Sequence, residues 1–251
     1  MEAKKRNLFV VLGAVFIANA LLAEFIGGKL FSLEKSLGFL PAELNVFGHA
    51  LAFNMTAGVL LWPVVFVLTD IINEYFGKKG VRFLSYLAAI LISYAFLMVY
   101  LAMSLTPSDY YVTSNKMNGI GDMNLAFKLV FGQGLWIIVG SLVAFLVGQF
   151  LDVAVFQWIK KKTKDSKLWL RATGSTLVSQ FVDSFIVLLI AFYIGQGWDL
   201  SLVLGIGVVN YIYKFFVAIV LTPLLYVIHG LIDKYLGKEL STAMMREATR
   251  K

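Results

Sequence analysis

The sequence predicts an all-α membrane protein of six transmembrane helices, with both ends in the cytoplasm. Hydrophobic residues make up 59% of the 251 residues and charged residues only 15%, whereas a soluble domain carries roughly 25% charged residues. The apolar residues form long continuous runs, and the basic residues lie in clusters between those runs. Together these observations exclude a water-soluble fold of this size.

Six apolar runs are long enough to cross the hydrocarbon core of a bilayer, which takes about 20 helical residues. Strands of a membrane β-barrel would be about 10 residues long with alternating polarity, and these runs are too long and too uniformly apolar for that. The sequence therefore predicts a single transmembrane domain over residues 1–251. Its predicted spans are about 8–26, 46–69, 83–105, 129–156, 172–194 and 202–229.

The Lys and Arg residues predict the orientation, because the cytoplasmic loops of membrane proteins carry an excess of them. One side of the predicted bundle holds 17 of the 22 basic residues, and the other side holds four. The remaining one, Lys214, falls within a span. The side with 17 is predicted to be cytoplasmic, in the inner membrane of a bacterium. Since the net charge of +7 follows this asymmetry, no direct binding of nucleic acid is expected.

Catalytic and metal-binding motifs do not occur. Cysteine is absent, which excludes disulfides, thiolate metal sites and cysteine nucleophiles. The two histidines, His49 and His229, are predicted on opposite membrane faces. No nucleophile–base set or Gly-rich phosphate loop is found. We therefore expect no catalytic residue, no metal site and no cofactor.

Charged residues within spans are the candidate substrate-binding residues. An ionisable side chain costs at least about 2.5–3.5 kcal/mol at the centre of a span, and it usually faces a cavity or a partner. Asp183 in the fifth span and Lys214 in the sixth lie at similar depths, so their charges can meet. One interpretation is a structural ion pair. The other is a polar substrate site, which the neighbouring Gln180 and Asn210 favour. Asn19 in the first span is a further candidate, with hydrogen bonding between helices as its alternative role.

A second polar group lies at the predicted cytoplasmic ends of the spans, where a structural or gating role is expected. Asp70 and Glu74 are four residues apart and share a helix face. A metal site or proton relay is one interpretation, and a solvated helix end that pairs with nearby Lys and Arg is the other. An ion pair of Arg171 with Asp152 or Asp70 is predicted to be structural. The whole group is Asp70, Asn73, Glu74, Gln149, Asp152 and Arg171.

Four segments of the sequence resemble the queuosine precursor transporter family, also called the VUT family. They follow one another in the family's order, cover the second to sixth spans and are far more specific than hydrophobicity alone. The segments are 66–82 (FVLTDIINEYFGKKGVR), 141–153 (SLVAFLVGQFLDV), 169–192 (WLRATGSTLVSQFVDSFIVLLIAF) and 210–226 (NYIYKFFVAIVLTPLLY).

This resemblance implies import of 7-deazaguanine precursors of the tRNA base queuosine: the nitrile preQ0, the aminomethyl form preQ1 and, in some members, queuine. The family is also distantly similar to the six-helix substrate-binding subunits of energy-coupling-factor transporters, which dock on an ATP-driven module. The implied partners are a small nucleobase, the lipid bilayer, and an energy-coupling module or a second copy of the chain. Two alternatives stay open: a substrate-binding subunit that requires such a module, and a membrane enzyme or scaffold.

The implied ligand agrees with the polar residues of the fifth and sixth spans. A guanine-like edge presents two N–H donors, which a carboxylate can accept side by side. Asp183 is the candidate acceptor, and Lys214 or Asn210 is a candidate donor to the ring carbonyl. Aromatic or apolar walls would hold the flat ring.

Reporter fusions test the predicted orientation. Because of the asymmetry in Lys and Arg, fusions after Arg82 and Lys164 are expected to report from the cytoplasm. Fusions after Leu37, Asn118 and Trp198 are expected to report from outside. A cytoplasmic signal at Asn118 would contradict the predicted topology.

Overall fold

The computed structural model describes residues 2–132, 134–163 and 168–250. Over these residues, five helical segments are long and apolar enough to cross a membrane, which confirms the prediction of a multi-pass helical protein. In chain order the helices are α1 (Glu2–Ile26), α2 (Leu33–Ser36), α3 (Trp62–Ser104), α4 (Asp109–Thr113), α5 (Met123–Phe131), α6 (Leu135–Thr163), α7 (Leu168–Leu188), α8 (Leu200–Leu236) and α9 (Lys238–Arg250).

The predicted basic loop after the fourth span lies partly outside the described residues, because Lys164 and Lys167 are not among them. The basic C-terminal residue Lys251 also lies outside the described residues. At the other end of α7, the helix continues as a π-helical turn over Leu189–Ile194. Such turns inside helices are frequent at functional sites, because they shift the direction of the side chains that follow.

The second predicted span, 46–69, is wrong over its first part. The structure has four short strands there: β1 (Leu30–Ser32), β2 (Leu44–Val46), β3 (His49–Leu51) and β4 (Asn54–Thr56). β1 pairs antiparallel with β4, and β2 pairs antiparallel with β3. A 3₁₀ turn, Ala57–Leu60, then leads into α3. We call residues 27–61 the hairpin segment.

Backbone chemistry explains where the helix begins. Phe47 and Gly48 have φ values of 51° and 85°, which form the turn between β2 and β3 and interrupt any helix. Pro63 then lies in the first turn of α3. Proline is favoured there because its missing N–H would have no partner within the helix.

α3 reverses direction at Gly77, whose φ of 68° and ψ of −170° are not helical. The two limbs are residues 62–76 and 78–104. A Cβ built at Gly80 would lie 3.6 Å from a side-chain carbon of Ile72. Since eight residues of straight helix cover about 12 Å, this distance requires a sharp bend. The limbs form a helical hairpin.

Both limbs pack on α1 at the level of the bend. The ring centroid of Phe9 lies 4.9 Å from that of Phe76 and 6.2 Å from that of Phe83. Further along α1, the ring of Phe25 lies 5.7 Å from that of Phe96 on the second limb. The second limb therefore runs alongside α1 in the same direction.

The bundle has an apolar exterior and a polar interior. Large apolar side chains such as Ile90 and Val220 are 64% and 74% exposed, whereas Asp152 and Asn73 are fully buried. This inversion suits a protein whose outer surface faces lipid and whose polar groups must find partners inside.

The last helix, α9, closes one end of the bundle against the bend in α3. The Tyr75 hydroxyl donates to Asp233 over 2.8 Å, and the Ser241 hydroxyl donates to the same carboxylate. Ala248 lies directly against Gly77, because a Cβ added there would be 2.9 Å from the Ala248 carbonyl oxygen.

We expect Gly77→Ala to lower the free energy of unfolding by about 1–3 kcal/mol, because alanine would adopt a positive φ and its methyl group would meet α9. Thermal unfolding of the purified protein in detergent measures this. Gly230→Ala in α8 is the matched control, since a Cβ there meets nothing within 4 Å. Equal effects of the two changes would contradict the explanation.

Candidate functional site

A cavity of about 270 Å³, which we call the main cavity, lies between α1, α3, α6, α7, α8 and the hairpin segment. Small-molecule sites are concave and mostly apolar, with a few polar groups that fix orientation. The main cavity matches this description: apolar side chains form most of its wall. Its polar side chains are Glu24, Thr56, Ser141, Asp183, Ser184, Asn210 and Lys214.

Asp183 and Lys214 meet within this cavity, as their similar depth predicts. Lys214 Nζ lies 2.5 Å from Asp183 Oδ2, and the side chains are 9% and 17% exposed. Asp183 packs on a glycine of α6, since a Cβ built at Gly148 would lie 3.6 Å from its Cβ. The small residue thus leaves room for the carboxylate at the helix interface.

Glu24 is a cavity residue that the sequence interpretation missed. Its place near the end of the first span indicates contact with water, but the residue is only 5% exposed. Its carboxylate accepts a hydrogen bond from the Ser141 hydroxyl across the cavity. The hairpin segment covers this end of α1, as Gly58 shows: a Cβ built there would lie 2.7 Å from the Ala23 carbonyl oxygen.

The predicted substrate-binding residues separate into two groups. Asp183, Lys214 and Asn210 line the main cavity, and Asn210 Oδ1 has no hydrogen-bond partner among the described residues. Gln180 instead lines a small void of about 20 Å³, one helical turn away. Asn19 is absent from the lining of either space, because its amide donates to the Val15 carbonyl of its own helix over 2.8 Å.

An adjoining cavity of about 290 Å³ lies between the hairpin segment and α8. It shares Thr56, Phe192 and Asn210 with the main cavity. Trp62 lines the main cavity but not the adjoining one, and it offers a flat aromatic surface against which a ring could pack. Phe192 belongs to the π-helical turn after α7.

A second set of polar residues forms the buried charge cluster: Asp70, Glu74, Asp152, Lys160 and Arg171, all at most 3% exposed. The Glu74 carboxylate pairs with Arg171 over 2.7 Å and with Lys160 over 3.1 Å. The predicted partner of Arg171 was Asp152 or Asp70, and that expectation is wrong. A solvated helix end is also excluded for Glu74, because the residue is only 1% exposed and pairs with cations of α6 and α7.

Asp70 and Asp152 are held by hydroxyl groups of α7 instead of by cations. The Thr176 hydroxyl lies 3.2 Å from Asp70 Oδ2 and 3.5 Å from Asp152 Oδ1. Ser175 reaches Asp70 over 3.4 Å, and Ser179 reaches Asp152 over 3.1 Å. Two buried carboxylates thus share one row of hydroxyl donors.

The remaining members of the predicted structural group link α3 to α6 by neutral hydrogen bonds. Gln157 Nε2 donates to Asn73 Oδ1 over 2.7 Å, and the Thr69 hydroxyl donates to Gln149 Oε1 over 2.7 Å. These bonds satisfy polar groups that lie inside an apolar bundle. Within the described residues, no group of three or more His, Asp or Glu side chains could hold a metal ion.

The hairpin segment is fixed over the cavities by Glu34. Its Oε1 accepts hydrogen bonds from the backbone N–H groups of Phe53 (2.8 Å) and Ala42 (3.2 Å), and its Oε2 accepts one from the Ser32 hydroxyl (3.1 Å). Desolvation raises the pKa of Glu34, but these hydrogen bonds together outweigh it and bring the pKa below its ordinary value of 4.5. A second tie joins His49 Nε2 to Ser201 Oγ on α8 over 2.8 Å.

Comparison with known proteins gives a consistent result. A family model described as "Putative vitamin uptake transporter" matches residues 56–228. The chain is 32% identical to the "Probable queuosine precursor transporter" of Bacillus subtilis, over 88% of this chain and 93% of that protein. It is 28% identical to the "Queuosine precursor transporter" of Escherichia coli, over 68% of this chain and 70% of that protein. No solved structure matches the chain, so the predicted similarity to energy-coupling-factor subunits stays a prediction.

We expect Glu34→Gln to loosen the hairpin segment, because the amide offers one acceptor oxygen where the carboxylate offers two. Hydrogen exchange at the Phe53 and Ala42 amides measures this, and faster exchange is expected. In the unmodified protein, the pKa of Glu34 is lower in the folded state than in the unfolded state. The stabilisation that the ionised Glu34 side chain provides is therefore complete above the ordinary pKa and is lost as the pH falls through the folded-state pKa. Glu43→Gln, at an exposed position of the same segment, is the control, and equal exchange in both variants would contradict the role of Glu34.

Proposed function

We propose that this chain, which belongs to the vitamin uptake transporter family, imports a 7-deazaguanine precursor of queuosine across a bacterial cytoplasmic membrane. The observation that carries the proposal is the match to queuosine precursor transporters over most of the chain. Membership of a transporter family also means that the chain is not an enzyme. The polar groups of the main cavity give the chemistry through which such a base would be held.

Six crossings follow when the limbs of α3 are counted as separate spans of one domain. The limb 62–76 covers about 22 Å at about 1.5 Å per residue, and the 3₁₀ turn before it extends the path. Lys78, Lys79 and Arg82 follow the bend at Gly77. The positive-inside rule then favours a cytoplasmic bend, with both chain ends on the same side.

The main cavity has the size and composition for a fused bicyclic base. Ligand sites typically measure about 300–1,000 Å³, and the main cavity, at about 270 Å³, lies just below the small end of that range. Trp62 provides an aromatic surface for the ring. The hairpin segment covers the space and would have to move for the ligand to enter.

The polar groups complement the hydrogen-bonding edge of a deazaguanine. Asp183 Oδ2 is occupied by Lys214, which fixes the carboxylate and leaves Oδ1 to accept a ligand N–H. Asn210 can accept through the Oδ1 that has no partner or donate to the ring carbonyl through its amide nitrogen. Glu24 lies across the cavity as a second acceptor of N–H groups.

Reconstitution tests the function directly. Liposomes that contain the purified protein should take up labelled preQ0 or preQ1. In a separate experiment, expression of the chain should restore queuosine in the tRNA of a synthesis-deficient host that is fed the precursor at low concentration. Uptake by the reconstituted chain alone separates a transporter from a subunit that needs an ATP-driven module. Absence of both uptake and restored queuosine would contradict the proposal.

Asp183→Asn tests the site. The change nearly preserves shape but turns an acceptor oxygen into a donor that faces the donors of the ligand, so we expect affinity for preQ1 to fall by about 2 kcal/mol or more. Equilibrium binding to the purified protein measures this, with Asp109→Asn at the exposed first residue of α4 as the matched control.

The double variant Asp183→Asn with Lys214→Met separates binding from folding. If the pair were only structural, removing both charges should restore stability and leave affinity normal, because a single removal leaves an unpaired buried charge. A folded double variant that still fails to bind is the outcome expected for ligand contact. Normal precursor affinity in either variant would exclude that role.

A further inference from the structure

The buried charge cluster contains one more negative group than positive groups. Among the described residues its carboxylates are Asp70, Glu74 and Asp152, and its cations are Lys160 and Arg171. Both cations lie at Glu74. An unbalanced charge in the interior of a bundle is very costly, and the usual resolution is that one group becomes neutral.

The hydroxyl donors around Asp70 and Asp152 are too few for two ionised carboxylates. The single proton of the Thr176 hydroxyl serves both carboxylates and can be given to one at a time. Ser175 and Ser179 also lie 3.1 Å from backbone carbonyls of their own helix, which compete for their protons. Asp152 Oδ2 is buried without a hydrogen-bond partner in the described part of the chain. One proton bound by either carboxylate removes one negative charge and adds one donor, which reduces this deficit.

An independent feature lies beside Asp70. The small void of about 20 Å³ is lined by Asp70, Thr176 and Gln180, and it is large enough for one water molecule. Gln180 is 1% exposed, and its Oε1 has no partner among the described residues. A water in this void would bond to the amide and bring a proton carrier next to the carboxylate. From α8 the void is faced by uncharged residues, including Thr222 and Leu225.

The same helix joins this void to the main cavity. The Ser184 hydroxyl donates to the Gln180 carbonyl over 2.7 Å and lines the main cavity. From Thr176 to Ser184, α7 covers about 12 Å at about 1.5 Å per residue. A ligand that contacts Asp183 and Ser184 therefore acts on the helix whose hydroxyls hold Asp70 and Asp152.

We propose that Asp70 and Asp152 together bind one proton and that the inward movement of this proton drives import. The proposal rests on the proposed function for its transport step, but the proton site itself does not. On the outward-facing side of the cycle, a hydronium ion gives its proton to a carboxylate oxygen, so one O–H bond of the hydronium breaks as the carboxylic O–H bond forms. On the cytoplasmic side the carboxylic O–H bond breaks and a water molecule accepts the proton. When the main cavity changes from open to the outside to open to the cytoplasm, the helices around a neutral cluster can rearrange. The desolvation cost of an unbalanced charge opposes the same rearrangement when the cluster is charged.

Infrared spectroscopy of the purified protein, without substrate, tests the proton site alone. At neutral pH the unmodified chain should show a carboxylic-acid C=O band that shifts in D₂O. Asp70→Asn and Asp152→Asn should each remove one acid per chain, because the remaining carboxylates are then balanced by Lys160 and Arg171. Asp109→Asn should leave the band unchanged. An acid band whose amplitude in both cluster variants equals that of the unmodified chain would overturn the proposal.

Thr176→Val provides a second variant in case the Asn variants do not fold. It keeps both carboxylates and removes the hydroxyl that they share, so the acid band should remain and change frequency. An unchanged frequency would mean that the protonated group lies elsewhere, which would also overturn the proposal.

Liposome uptake of labelled preQ0 tests coupling. With one proton per substrate, an inward gradient of one pH unit should support about tenfold accumulation, and a protonophore should abolish it. Asp152→Asn should exchange substrate without responding to the gradient, whereas Asp109→Asn should respond. Uptake that ignores the pH gradient or follows a sodium gradient would overturn proton coupling. Failure of the unmodified chain to exchange any 7-deazaguanine would instead overturn the proposed function, and the infrared result would still decide the proton site.

Discussion

The cost of removing charge from water governs the interior of this protein. Glu74 lies on α3 and pairs with Arg171 on α7 and Lys160 on α6, so one carboxylate joins three helices. Such a triad adds little net stability over apolar packing, but it strongly penalises arrangements that separate its members. It therefore specifies how the helices pack. Because Lys160 also approaches the Met245 carbonyl of α9 over 3.5 Å, the triad extends to the end of the bundle that α9 closes.

Two polar regions share α7 and differ in accessibility. The main cavity holds an ion pair that is partly open, with Asp183 at 17% exposure, whereas the buried charge cluster is closed on all sides. Hydroxyl-bearing residues of α7, from Thr176 at the buried charge cluster to Ser184 at the main cavity, form a polar stripe along a helix that is otherwise largely apolar. A transporter needs such a path, because polar substrates and ions can be held in a bilayer only where side chains replace water.

Helix-forming segments could be predicted well from the sequence because their signal is local. Continuous apolar runs and the distribution of Lys and Arg indicate the spans. The error at 46–61 arose because that segment is apolar enough for a helix, although Gly48 and Pro63 mark a turn and a helix start. Its apolar side chains are instead used to cover two cavities. Hydropathy cannot separate these two uses, because both bury apolar surface.

The sequence by itself determined the membrane class, a candidate orientation and the similar depth of Asp183 and Lys214, since depth along a helix follows from residue spacing. Tertiary structure alone decided which residues share a site. It brought Glu24 into the main cavity, moved Gln180 to a separate void, and gave Arg171 to Glu74 instead of Asp152. The physical reason is that depth is a property of one helix, whereas partners depend on the rotation and tilt of several helices, which packing sets together.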